Sequence, residues 1–324
     1  MPYSLKEFIP QLKDLSTFRS ELMGWSILWI MALHFRFITL KPLGFIAQYG
    51  FSGVEIFMFV SGLGLYYSLR KDDHLTTFYR KRLLRIFPTY YLIGIFASLL
   101  LFHDGLLTYF YRYSTIGFWT NGPYFEWYIP SIVMLYLAAP FLKKWLDSRL
   151  SSLLVFILAG IMVTAFFLAQ LQVLDRAHFF LFYRIPAFVA GMFCAKQLYE
   201  GKEASATVKA IYIGITLVGI VVFCLCFPLH HAVYEFKYYA LFFLMPVFIA
   251  FFCLLSKLSS AVARVISAIG NASLEIYLIQ CLFFTAIVNG QLIIPDIWHD
   301  AVTFILIASC SATGILLHKL LNRR

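Results

Sequence analysis

Charge is scarce in this sequence. Only 13% of its 324 residues are Asp, Glu, Lys or Arg, against 61% hydrophobic and 19% aromatic, and the mean hydropathy is +0.81. A water-soluble domain of this length carries roughly twice that share of charge. The composition therefore excludes a soluble globular protein and points to an integral membrane protein that crosses the bilayer many times.

Long polar stretches are missing as well. Nothing between the apolar runs is long enough for a separate soluble domain, and there is no internal repeat or low-complexity linker, so residues 1–324 read as one membrane domain. The six cysteines, Cys194, Cys224, Cys226, Cys253, Cys281 and Cys310, form no Cys-x-x-Cys pair and no Cys/His ligand spacing. They read as small buried hydrophobes, and no metal is expected. No small-residue cleavage signal follows the first apolar run, which is therefore expected to stay as an anchor.

What the chain does have is about ten apolar runs of roughly 17–22 residues, the length a helix needs to cross about 30 Å of hydrocarbon. They lie near 23–40, 50–69, 86–103, 124–142, 152–171, 178–195, 209–227, 238–255, 272–288 and 301–318. The expected fold is an all-α bundle of about ten transmembrane helices. The formal net charge of +10 comes from 26 Lys and Arg against 16 acids. With a cytoplasmic amino terminus, twenty of the 26 fall on the inner side, and six (Arg36, Lys41, Arg112, Arg176, Arg184, Lys237) fall on the outer side. That split follows the positive-inside rule. Both termini are thus expected in the cytoplasm, as short tails at 1–20 and 319–324, and little of the positive charge is left over for nucleic acid.

Ionisable groups inside apolar runs cost about 2.5–3.5 kcal/mol each at a helix centre, so they must face protein, water or a ligand. The first run, MGWSILWIMALHFRF, carries His34 toward its outer end, on the side of the helix that also holds Gly24 and Met31. Imidazole titrates near pH 6.5 and can take and return a hydroxyl proton, although a neutral histidine bonded inside the bundle is the simpler alternative. In the second run Ser52, Glu55, Phe59 and Gly62 share one side, which suits a cavity or a partner histidine unless Glu55 merely snorkels outward. Arg82 and Arg85, at i and i+3 where a helix enters from the cytoplasm with Pro88 in an early turn, suit phosphate oxygens or plain anchoring. Glu126, Trp127 and Tyr128 fall at the outer interface, where an aromatic belt is the simple reading. Arg184 lies a turn and a half inside its run. In NASLEIYLIQ, Ser273, Tyr277 and Gln280 share a face, while Glu275 reads as a snorkelling interface residue.

In this order the segments resemble the membrane-bound acyltransferase 3 family. Gly24 and His34 match the first block, Gly53-Val54-Glu55 with Ser61-Gly62 the second, and RLLRIFPTYY, with Arg82, Arg85 and Pro88, the third. WYIPSIVMLYLAAP, RIPAFVAG and SLEIYLIQ follow the later blocks, so the resemblance covers about residues 19–290. Two positions depart from the pattern. Met23 stands where many relatives have an arginine, with Arg19 and Glu21 just upstream as in a polysaccharide- or capsule-modifying branch, and Gln280 replaces a common histidine.

The resemblance implies an O-acyltransferase of the cell membrane, multi-pass, moving acetyl from cytoplasmic acetyl-CoA to a hydroxyl of an extracytoplasmic glycan or lipid-linked saccharide. It implies phosphates near Arg82 and Arg85, and His34 as general base or transient acyl carrier with Glu55 orienting it. Glu126, Trp127, Tyr128 and Arg184 are candidates for sugar contact. Intramembrane charge alone fits a second class equally, a transporter or flippase for a lipid-linked saccharide, with His34, Glu55 and Arg184 lining the pathway.

Overall fold

The computed structural model describes residues 13–72, 74–121, 126–148, 160–161, 164, 176–201, 214, 216–221, 223–225 and 236–322. Among them there is no strand. The long helices are α1 (Arg19–Phe35), α2 (Phe51–Lys71), α3 (Leu75–Ala97), α4 (Tyr128–Leu146), α5 (Arg176–Tyr199), α6 (Phe236–Leu258), α7 (Ser260–Asn271), α8 (Ser273–Val288) and α9 (His299–Leu321).

Six helical segments are long and apolar enough to cross a membrane: Phe51–Lys71, Leu75–Phe102, Tyr128–Leu146, His178–Tyr199, Leu241–Leu258 and Asp296–Leu321. The pair α7 and α8, bent by 70° at their junction, makes a seventh if it is taken as one span. The described residues thus hold six or seven spans rather than ten. Two expected runs, 152–171 and 209–227, fall largely outside the described residues. A third, 23–40, is a 17-residue helix that stops at Phe35 because Arg36 leaves helical geometry. The third span also begins earlier than its apolar run. α3 starts at Leu75 on polar sequence, so Pro88 sits in the middle of the helix instead of its first turns, and its ring removes one backbone bond there.

Small residues bring the helices together, as is usual where lipid gives no hydrophobic drive to association. At the crossing of α2 with α5, a methyl group added to Gly62 would lie 2.0 Å from the Phe188 carbonyl oxygen. One added to Gly191 would lie 1.9 Å from that of Phe59. Ser52, Glu55, Phe59 and Gly62 therefore face α5. Likewise Gly24 of α1 meets the backbone of Ile266 in α7, and Gly270 meets that of Ser20. The side of α1 that holds Gly24 thus packs against a neighbouring helix. These close crossings hold α1, α2, α5 and α7 as a frame, and α3, α4 and α8 complete a ring around an internal space.

Candidate active site

That space is a cavity of about 1020 Å³. Its wall includes Arg19 at the start of α1 and both His34 and Arg36 at its end. Seventeen helical residues rise roughly 25 Å, so the cavity follows the whole of α1. Between its two charged ends the wall is mixed, with Ile27, Ile30 and Ile132 beside Ser61 and Tyr136.

Arginines gather at one end. The Arg19 guanidinium lies on α2 where Gly64 leaves room, since a methyl group there would sit 2.7 Å from Arg19 Nη2. Arg82 and Arg85 project into the same space from α3, joined by Lys319 of α9. Their charges are not equally available. Arg85 donates from Nη1 and Nη2 to the two carboxylate oxygens of Glu275 at 2.6 and 3.0 Å. Glu275 is wholly buried, with His318 Nδ1 at 3.3 Å, so it is an internal counter-ion and not the snorkelling residue expected. Among the described residues no carboxylate pairs with Arg19 or Arg82, and Arg82 Nε is shut from solvent without a hydrogen-bond partner. Like charges facing one low-dielectric space repel, and an anion between them removes the cost.

At the other end the ring of His34 lies against Phe284, centroids 4.9 Å apart, with Nδ1 3.2 Å from Gln280 Oε1. An amide oxygen only accepts, so Nδ1 carries the hydrogen and the basic lone pair is on Nε2. The partner of His34 is thus Gln280, from the face of α8 that also brings Ser273 and Tyr277 to the cavity wall. Glu55, expected beside His34, pairs instead with Arg184, Nε to Oε1 3.4 Å, because its side of α2 packs on α5. Arg184, 1% exposed, is enclosed by Trp127, Tyr238 and Phe180, ring centres 4.8, 4.9 and 5.5 Å away.

Trp127, Tyr128 and Arg184 all line the cavity. Glu126 does not. Successive residues entering a helix diverge by about 100°, and Glu126 turns the other way, into a small separate pocket with Tyr90, Tyr113 and Cys281. Burial there pushes its carboxyl pKa upward.

The backbone beyond His34 is unusual. Arg36 has φ 55° and ψ 152°, a conformation close to one reserved for glycine, which costs on the order of 1–3 kcal/mol elsewhere. The first turn of α9 imposes it. Asp300 accepts the backbone N–H groups of Ile38, Thr39 and Leu40 at 2.7, 3.0 and 2.8 Å and also the Thr39 hydroxyl. Thr303 Oγ1 donates to the Arg36 carbonyl at 2.9 Å and lies 3.3 Å from that of Phe35.

Sequence reasoning overlooked Arg19, Arg36 and Gln280 as parts of this site. Arg19 had a signal, since it stands four residues before Met23 and hence on the same helix face. The pairing of Gln280 with His34 had none, being a contact between helices 246 residues apart.

Comparison with known families finds a match to the acyltransferase 3 model, described as an acyltransferase domain, over residues 22–318. The match runs past residue 290, where the quoted blocks end, into α9. No curated protein and no solved structure matches the chain.

Proposed function

The chain belongs to the acyltransferase 3 family of membrane acyltransferases, and from that premise we propose that it moves an acetyl group from cytoplasmic acetyl-CoA to a hydroxyl of an extracytoplasmic glycan. In this reading it is a multi-pass protein of the cell membrane with both termini in the cytoplasm, so the arginine end of the cavity faces the cytoplasm and the His34 end faces out. The observation that carries it is the continuity of one cavity, polar at both ends, between Arg82 and His34.

The donor end fits the chemistry of a nucleotide thioester. Arg82 and Arg19 offer guanidinium donors to phosphate oxygens. Arg85 is held by Glu275 and fixes the wall between α3 and α8. The mixed wall of isoleucines, Ser61 and Tyr136 between the ends suits a long, weakly polar arm. When bound, acetyl-CoA supplies an activated acyl carbon. His34 Nε2 takes the proton of the acceptor hydroxyl as its oxygen bonds to that carbon. It then returns the proton to the departing sulfur as the carbon–sulfur bond breaks, which balances the transfer. The bond from Nδ1–H to Gln280 keeps the ring in this orientation. Trp127, Tyr128 and Arg184 form the wall on which the sugar rests, with capsular or exopolysaccharide repeats as the proposed acceptors.

The test is the O-acetyl content of surface polysaccharide, by proton NMR, in cells carrying the native chain, His34→Ala or no copy. Acetyl signals only with the native chain, at matched protein levels, support the reading. Unchanged acetylation with loss of surface glycan supports saccharide transport instead.

A further inference from the structure

At the His34 end of the cavity the positive charges are unequal. Arg184 is offset by Glu55 and walled in by aromatic rings, and His34 donates to the neutral Gln280. Arg36 is different. It lines the cavity two residues from His34, and among the described residues no carboxylate forms an ion pair with it. Asp300, which packs on the segment just beyond Arg36, is engaged by the backbone of residues 38–40.

The position of Arg36 is also built, since α9 holds its backbone in a conformation that a non-glycine residue rarely adopts. A cation that served only to anchor the chain at the membrane surface needs no such frame, because a long flexible side chain reaches lipid headgroups from any backbone. The frame fixes the backbone two residues beyond the imidazole, from which the exposed Arg36 side chain reaches the cavity wall. A cation on this wall discriminates between acceptors by charge.

Resting on the acyltransferase reading above, we infer that Arg36 is a specificity residue for the acceptor: the sugar carries an anionic group, a carboxylate or a phosphate, near the hydroxyl that meets His34. The guanidinium fork binds two oxygens of that group. Trp127, on the same cavity wall, offers an aromatic ring to the sugar. A neutral sugar of the same shape leaves Arg36 unmatched.

The experiment measures binding rather than turnover, on the full chain in detergent at constant ionic strength. Melting midpoints are recorded with methyl glucuronide, glucose 1-phosphate or methyl glucoside, for the native protein, Arg36→Gln and Arg36→Lys. The native midpoint is expected to rise with an anionic sugar and not with the neutral one, at least tenfold higher concentration being needed in Arg36→Gln and less in Arg36→Lys. A response to the glucuronide alone identifies a carboxylate acceptor, and one to the sugar phosphate alone a phosphate-bearing acceptor. Equal responses of native protein and Arg36→Gln, equal responses to charged and neutral sugars, or no response to any sugar overturn the inference. Loss of only anionic-lipid binding in Arg36→Gln overturns it too. A parallel series with CoA separates the two readings. An equal CoA shift in native protein and Arg36→Gln certifies the fold of the variant, whereas no CoA shift in the native protein counts against the donor site and leaves the sugar series readable.

Discussion

Arg85 and Glu275 join α3 to α8 by a two-pronged ion pair of 2.6 and 3.0 Å, in which the carboxylate is wholly buried and the guanidinium is a third exposed. The two halves are therefore not equivalent. Arg85→Met strands a buried anion and is expected to cost on the order of 3–5 kcal/mol, whereas Glu275→Gln leaves a cation that can reach water and costs less. Thermal unfolding in detergent checks the order; equal losses would falsify the asymmetry.

Donor binding is expected to depend on Arg19 and Arg82 in a way that can be separated from folding. Each charge-assisted contact to phosphate contributes about 1.5–3 kcal/mol, so Arg19→Ala and Arg82→Ala should each weaken CoA at least tenfold with little change in the ligand-free midpoint. CoA titration by thermal shift gives both values in one experiment. Unaltered affinity in both variants would move the donor phosphates elsewhere.

His34 and Gln280 should differ in how much they matter. His34→Ala removes the proposed general base, with an expected loss of about 10²–10⁴ in turnover. Gln280→Leu removes only the group that sets the ring and its tautomer, and is expected to lower kcat by a smaller factor while leaving the KM for acetyl-CoA near the native value. Steady-state kinetics on reconstituted protein decide. A change in KM with kcat intact would mean that Gln280 shapes the donor path and not the base.

Glu126 gives a pH signature. Its carboxyl, in the turn before α4, is raised above the ordinary carboxylate range mainly by burial. Any stability it lends is present while it is protonated, below the unfolded-state value near 4.3, and is lost as pH rises through the higher folded-state value. Glu126→Gln should therefore raise the melting midpoint at neutral pH, and the gain should shrink as the medium is acidified. A gain that stays constant with pH would point to packing instead.

Much of this site is readable in the sequence because the membrane makes polarity expensive. His34 and Arg184 stand out for that reason, Arg82 and Arg85 by their i, i+3 spacing at the helix entry, and all four line the cavity. What spacing along one helix does not encode is the partner chosen on another. Glu55 reads as facing a cavity or a partner histidine and Glu275 as surface-seeking, yet each meets an arginine from a distant helix. Where one of the spans begins is likewise not legible from hydropathy alone. The apolar run read as 272–288 begins at the 70° bend between Asn271 and Ser273, but a run of apolar residues does not show that a second helix, Ser260–Asn271, leads into it.

The clamp that Asp300 makes on Ile38 joins groups 262 positions apart. The backbone that carries His34 and Arg36 thus receives its final shape from α9, which follows every other described span in the chain. During synthesis the first helix has to wait in the membrane, its His34 end unframed, until α9 arrives. Order of insertion therefore delays competence: a nascent chain halted before Asp300 holds the histidine and all three donor-side arginines, and still lacks the finished acceptor end.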